Sequence, residues 1–327
     1  MLSELASSYT LDSDLAERAF ALFPRGDWLY MLLSYADEST QDHEAIPTSA
    51  VSALTATGKN WVGFSSAWFR TLEEFDVLDK KGRRLFHTNE FETPEGRRGS
   101  VYENWDVDKR NRFNRALCDA IAHNGIQVSA ASVIVADYEE VASKIEDFSM
   151  PNGRSASFSR SQAFGDRYVF CAFQAMTLAA EEAKAFYPKS TEIAYHFESG
   201  GGYQHQIEFV YDIAKRYEGN YFQFFEKPNF VDKGFAVALQ AADKMAYEAA
   251  KHVSHMQNPA PPEKHSEIKD GKRVWKTRFP LEHLVLNGVD VHIRWWRKDD
   301  IEAFFTEGQS NNAKKAAARK TATEHHK

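Results

Sequence analysis

The most constraining stretch of this chain is Trp28–Thr40, WLYMLLSYADEST. An apolar run stopped by Asp37 and Glu38 predicts a buried central strand. Acids at the exit of such a strand stand at a sheet edge, where sites are built. Two later stretches share the oddity. Leu239–Tyr247, LQAADKMAY, carries Asp243 on an otherwise apolar helix. Thr191–Phe197, TEIAYHF, predicts a strand, and Glu198 follows it directly, ahead of Ser199 and three glycines.

The remaining periodicities alternate between strand and helix. Ala50–Thr57 and Ile126–Ala136 are rich in β-capable residues and predict strands. Lys59–Phe75, with Trp61, Phe64, Trp68 and Leu72 at three-four spacing, predicts an amphipathic helix, and Trp61 and Trp68 belong to its core face. Val107–His123, stopped by Asn124-Gly125, predicts another. Phe164–Phe186, Gln206–Tyr217 and Phe235–His255 complete the predicted helices. Arg84–Phe91 is expected to contain a strand end bearing His87 and then Glu90, and Tyr221–Phe225 a short strand. Gly288–Trp296 is expected as one more strand or an extended tail. This mixture implies an α/β fold with a mixed central sheet flanked by helices. The expected organisation is an N-terminal extension over 1–27, a domain over 28–257, a linker and packed extension over 258–308, and a polar tail over 309–327.

Composition narrows the function. The 327 residues carry 40 Lys and Arg against 47 Asp and Glu, a net charge of −7, so nucleic acid or anionic membrane would need a local basic groove. The only cysteines, Cys118 and Cys171, have no metal-ligand spacing and fit a reducing cytoplasm better than a disulfide scaffold. No stretch has the length of a membrane span, and the first residues show no basic-then-apolar pattern, so no signal peptide is expected. Gly200–Gly202 lacks the Lys-Ser/Thr of a nucleotide-binding loop.

Scattered acids that each interrupt core-like sequence point to a hard-cation site. Phosphodiester cleavage needs an activated water, a stabilised leaving oxygen and neutralised equatorial charge, and two Mg²⁺ or Mn²⁺ ions about 4 Å apart supply all three. Such ions take carboxylate oxygens and retain water. Asp37, Glu198 and Asp243 are the expected ligands, with Glu38 and His87 as further catalytic candidates. Glu38 ranks below Asp37 because strand side chains alternate between faces. Gln240, Ser39 and Tyr247 are expected to steady the carboxylates, Gln240 by its amide. Arg97, Arg98, Arg154 and Arg160 are candidates for phosphate contacts. Each has an ordinary reading too: Asp37 as a turn cap, Asp243 paired with Lys244, Glu198 favouring a helix N-terminus, the arginines as solvated surface.

The residues also resemble a known family. YADEST at Tyr35–Thr40 resembles the strand-end DES signature of the family catalogued as domain of unknown function 3800, and LQAADKMAYEA resembles its LQ-x-AD-x-x-AY helix. WVGFSSAWFRTLEEF and LFHTNEF lie between them in the family's order, and Tyr195–Glu198 has the character of its FHFE segment. The resemblance spans roughly residues 28–255. Thr40 stands where the family has Gly, and Glu198 where an Asp is expected. The resemblance implies a ribonuclease H-like fold and, by analogy, a metal-dependent nuclease acting on DNA or RNA. The alternatives are a non-catalytic nucleic-acid- or protein-binding module and a metal-dependent hydrolase of a small phosphorylated substrate.

Overall fold

The computed structural model describes residues 31–41, 46–145, 147–149, 157–159, 164–187, 191–217, 227–257, 266–269, 272–275 and 280–306. The strands are β1 (Met31–Gln41), β2 (Thr48–Thr57), β3 (Gln127–Ile134), β4 (Asp147–Ser149), β5 (Ser157–Ser159), β6 (Glu192–Glu198), β7 (Asn229–Val231), β8 (Ser266–Lys269), β9 (Lys272–Trp275) and β10 (Val291–Trp296). The helices are α1 (Gly58–Glu74), α2 (Thr88–Glu92), α3 (Pro94–Arg97), α4 (Val107–Ala122), α5 (Val135–Ser143), α6 (Arg167–Phe186), α7 (Gln204–Tyr217), α8 (Val237–Gln257) and α9 (Pro280–Leu286), followed by a helix over 298–306.

Six strands form one mixed sheet in the order β10-β3-β2-β1-β6-β7. β2 runs antiparallel to both neighbours, whereas β6 is parallel to β1, β7 to β6 and β10 to β3. β4 pairs with β5, and β8 with β9, as separate two-stranded ribbons.

Helices cover both faces, so β1 is buried on each side, as its unbroken apolar run predicts. Side chains alternate along it: Leu32 and Ala36 join the core under α6, and Tyr35 joins the core under α8. The α8 core is aromatic, with Trp61, Phe64, Trp68, Phe86 and Phe113 packed together. The small residues Ala241, Ala242, Ala246, Ala249 and Ala250 of α8 are buried, which brings that helix close over β1, β2 and β3. Helix starts are capped where short polar side chains stand: Thr57 accepts from Asn60, Asp106 from Lys109 and Asp166 from Tyr168.

The structure changes the expected elements in several places. Arg84–Phe91 contains no strand end; Thr88–Glu92 is a short helix, and His87 is its N-cap residue. The Thr93 side chain, just beyond that helix, starts α3. β10 resolves the two expectations for Gly288–Trp296 in favour of a strand, at the sheet edge beside β3. The sheet strand of its region is β7, at Asn229–Val231; the expected strand at Tyr221–Phe225 lies outside the described residues, as do 1–27, 258–263 and 309–327. Both cysteines are free and buried. No helix among the described residues is long and apolar enough to cross a membrane.

Candidate functional site

The site begins where β1 and β6 separate. Their parallel register runs from Met31 with Glu192 to Ala36 with Phe197. Asp37 and Glu198 are the next residues on the two strands, so their carboxylates leave the sheet side by side. β1 continues to Gln41 along β2 alone. After Glu198 the chain turns away through Gly200, whose φ of 94° favours glycine.

Asp243 arrives from above. Opposite Asp37 on β2 is Ser52. Its hydroxyl donates to the carbonyl of Ala242 at 2.7 Å, fixing α8 over the sheet at this level. The amide N–H of Thr88, at the start of α2, donates to Asp243 Oδ2 at 3.2 Å.

At the centre is a residue absent from the sequence expectations, Lys233. It lies in the turn between β7 and α8 and is 8% exposed. Its Nζ stands 2.6 Å from Asp37 Oδ2, 3.1 Å from Glu198 Oε2 and 3.4 Å from Asp243 Oδ2. The structure thus brings together the three expected ligands, around an ammonium group. The contact with the buried Asp37 Oδ2 is the shortest of the three and, with its charge, holds the ammonium in place. Asp37 Oδ1 accepts from the amide of Glu38 at 2.9 Å.

Charge at this centre is unbalanced. Burial pushes the Asp37 carboxyl well up from its ordinary value; Lys233 opposes this, while Asp243, Glu38 and Glu198 add to it. Glu38 is raised for the same reason, against the pull of Lys233 and with Glu198 and Asp243 pushing. Burial disfavours the Lys233 ammonium, but Asp243, Asp37 and Glu198 outweigh it and hold the group above the ordinary lysine value.

Beside this cluster lies an open cleft of about 290 Å³, lined by Glu38, Tyr168, Glu198, Tyr203 and Phe230 among others. Glu38 belongs to the α6 face, as alternation predicts, and is hydrogen-bonded to the Tyr168 hydroxyl. At the strand exit the two faces meet, so Glu38 feels the same charges as Asp37. Tyr168 and Tyr203 pack with centroids 4.9 Å apart.

Other expected site residues have different surroundings. Gln240 does not hold a carboxylate. Its oxygen accepts from the Trp68 indole at 3.1 Å and the Phe86 amide at 3.0 Å, and its nitrogen makes a long 3.5 Å contact to the Lys233 carbonyl. It steadies the lysine's backbone instead. Tyr247 is buried under the Lys251 ammonium, 5.1 Å from its ring centroid. Ser39 is half-buried on β1 and pairs in register with Ala50. His87 is half-buried, with its carbonyl accepting from Phe91. Arg97 donates to the carbonyls of Phe91 and Glu92 at 3.1 and 2.8 Å, closing the end of α2. Arg98 is exposed; Arg154 and Arg160 lie outside the described residues.

Lys244 does not pair with Asp243. Fully buried, it contacts Glu248 at 2.6 Å and Glu92 at 3.0 Å. Lys251 approaches Glu92 at 3.8 Å. This network ties α2 to α8 and so keeps the Thr88 amide on Asp243. Burial alone would raise the Glu92 carboxyl, but Lys244 and Lys251 overcome it and draw it down to about 2.

A divalent ion suits the donors in kind. Three hard carboxylate oxygens face one point. The spacing, however, is that of an ammonium contact, and among the described residues no group of His, Cys, Asp and Glu is arranged as a metal-ligand set. No protein-family model and no curated protein matches this chain.

Proposed function

We propose that the chain is a divalent-metal-dependent phosphodiesterase, a nuclease acting on DNA or RNA, on a ribonuclease H-like sheet. The convergence of Asp37, Glu198 and Asp243 on one point beside an open cleft carries this reading. The sheet supports its finer fold, with the acid-bearing β1 central between an antiparallel β2 and a parallel β6. Asp37, Glu198 and Asp243 would hold Mg²⁺ or Mn²⁺. The bound ions would supply charge neutralisation at the phosphate and acidify a water.

The chain's own groups do the rest. The Thr88 amide and the Ser52–Ala242 bond orient Asp243 and α8, so the oxygens are in place before substrate arrives. Glu38 stands at the cleft wall with a carboxyl that burial makes a better proton holder than a free glutamate. That suits it to take a proton from an attacking water or return one to a leaving oxygen. Tyr168 holds it in place.

A second reading, a hydrolase of a small phosphorylated substrate, is favoured by the cleft's modest volume and the net charge of −7. The test compares wild type with Asp37→Ala, purified identically, on DNA, RNA, hybrid and nucleotide monoester substrates with Mn²⁺, Mg²⁺ or EDTA. Cleavage dependent on both the ion and Asp37 is the expected result. Equal residual cleavage by both proteins, or none by wild type on any polymer, refutes the nuclease.

A further inference from the structure

The role of Lys233 goes beyond counter-charge. We propose that Lys233 is an internal stand-in for the site's cation: its ammonium holds Asp37, Glu198 and Asp243 together in the ion-free chain and swings aside when a divalent ion enters. The inference rests on the metal reading above and adds a competing side chain to it.

Four observations carry it. First, the ammonium occupies the point the three carboxylates share, at 2.6, 3.1 and 3.4 Å. A divalent ion binds carboxylate oxygens at roughly 2.0–2.6 Å, so ion and ammonium cannot share that point. Second, among the described residues no other lysine or arginine makes an ion pair with these three acids. Without Lys233 the buried Asp37 would face Asp243 and the half-exposed Glu198 uncompensated, which is costly for Asp37. Third, the backbone of Lys233 is fixed independently of the carboxylates, so the side chain can turn about a held anchor. Asp232 Oδ1 accepts from Gly234, and the Asp232 carbonyl from Phe235 and Ala236. The lysine itself is a point charge on a flexible stem, with no fixed fork to lock it in one direction. Fourth, there is somewhere to go. The cleft beside the cluster is lined by Glu198 and Glu38, so the ammonium can leave Asp37 and Asp243 while keeping acidic company.

Charge favours movement over expulsion. Three carboxylates meet one ammonium. One divalent ion together with the displaced lysine matches them more closely than either cation alone. The displaced ammonium then lies at the cleft wall, where an anionic phosphate would meet it.

The experiment measures Mn²⁺ binding by calorimetry and Tm with and without Mn²⁺ for wild type, Lys233→Met and Lys233→Arg. Lys233→Met should melt below wild type without ion, bind Mn²⁺ about tenfold more tightly, and regain its Tm at saturating Mn²⁺. Lys233→Arg should keep the ion-free Tm. Equal or weaker Mn²⁺ affinity in Lys233→Met, with wild-type binding intact, overturns the stand-in role and leaves the metal site standing. Absence of Mn²⁺ binding in both folded proteins overturns the metal reading and this inference together. A second readout uses wild type and does not depend on the variants folding: acylation of the Lys233 amine, followed by peptide mass spectrometry. Mn²⁺ should raise labelling several-fold at Lys233 and not at exposed lysines. Unchanged labelling in protein shown to bind Mn²⁺ overturns the swing.

Discussion

Asp37 and Glu198 are each the first residue beyond Ala36 and Phe197, the last register pair of two parallel strands. This parallel pairing accounts for why acids some 160 positions apart leave the sheet side by side. In parallel strands the side chains at equal register point the same way, so two acids just past the last pair share one edge. The lysine between them and Asp243 is the physical consequence of crowding carboxylates in a buried place.

Asp37 is held in an environment that favours its protonated form. Its folded-state affinity for a proton exceeds that of the unfolded chain, so its contribution is fully present below about pH 3.8 and declines as pH rises through its folded value. Asp37→Asn should therefore match wild type near pH 4 and melt higher at pH 7–8 without ion. The expected gain is about 2–4 °C, the size of a ~1 kcal/mol change in a large domain. Thermal scans from pH 4 to 8 check this, and a gap that stays constant with pH rules it out.

Glu92 behaves in the opposite sense. Drawn down from 4.5 to about 2 by Lys244 and Lys251, it stabilises the fold above its unfolded value. That stability drains as pH falls from about 4.5 toward 2. Glu92→Gln should remove this part of the acid sensitivity. It should also destabilise at pH 7, because it removes one of the two carboxylates that compensate the buried Lys244 and leaves only Glu248. Urea unfolding at pH 7 and pH 4 tests both statements; a loss equal at the two values would count against them.

Gln240→Ala should act on stability more than on ion response. It strands the Trp68 indole N–H and the Phe86 amide in the core. Each stranded donor costs about 1–3 kcal/mol. A variant with unchanged stability and a lower ion affinity would reverse this expectation and restore a direct role on the carboxylates.

Cys118 is buried and its thiol is pushed up to about 12 by desolvation. In the native protein at pH 8 it should resist a thiol reagent, and it should react within seconds once unfolded. Fast native labelling at Cys118 would show that this part of the core opens.

The lone acids Asp37 and Asp243 were legible because a carboxylate amid Leu, Tyr, Ala and Met is hard to explain as surface. The core tryptophans were legible from helical spacing, and both are buried as expected. Lys233 was not legible. In NFVDKGF it sits between polar and glycine residues, which reads as an exposed turn. Gln240 stands three positions before Asp243 in sequence, but its amide oxygen bonds to Trp68 and Phe86, partners that no local pattern shows. The short helix at Thr88–Glu92 hid behind a β-like pattern, LFHTNEF, and is anchored by Glu92 to Lys244, 152 positions away.

The sequence by itself determined the alternation of strands and helices, the burial of the first strand and the choice of acids that interrupt apolar runs. These follow from local periodicity, since each element's apolar spacing is set within a few residues. Only the tertiary structure decided that Asp37, Glu198 and Asp243 meet, that Ser52 fixes the height of α8, and that Lys233 stands among them. Register, crossing distance and the reach of a lysine stem are relations between distant segments. They depend on how the elements pack, and no local pattern encodes them.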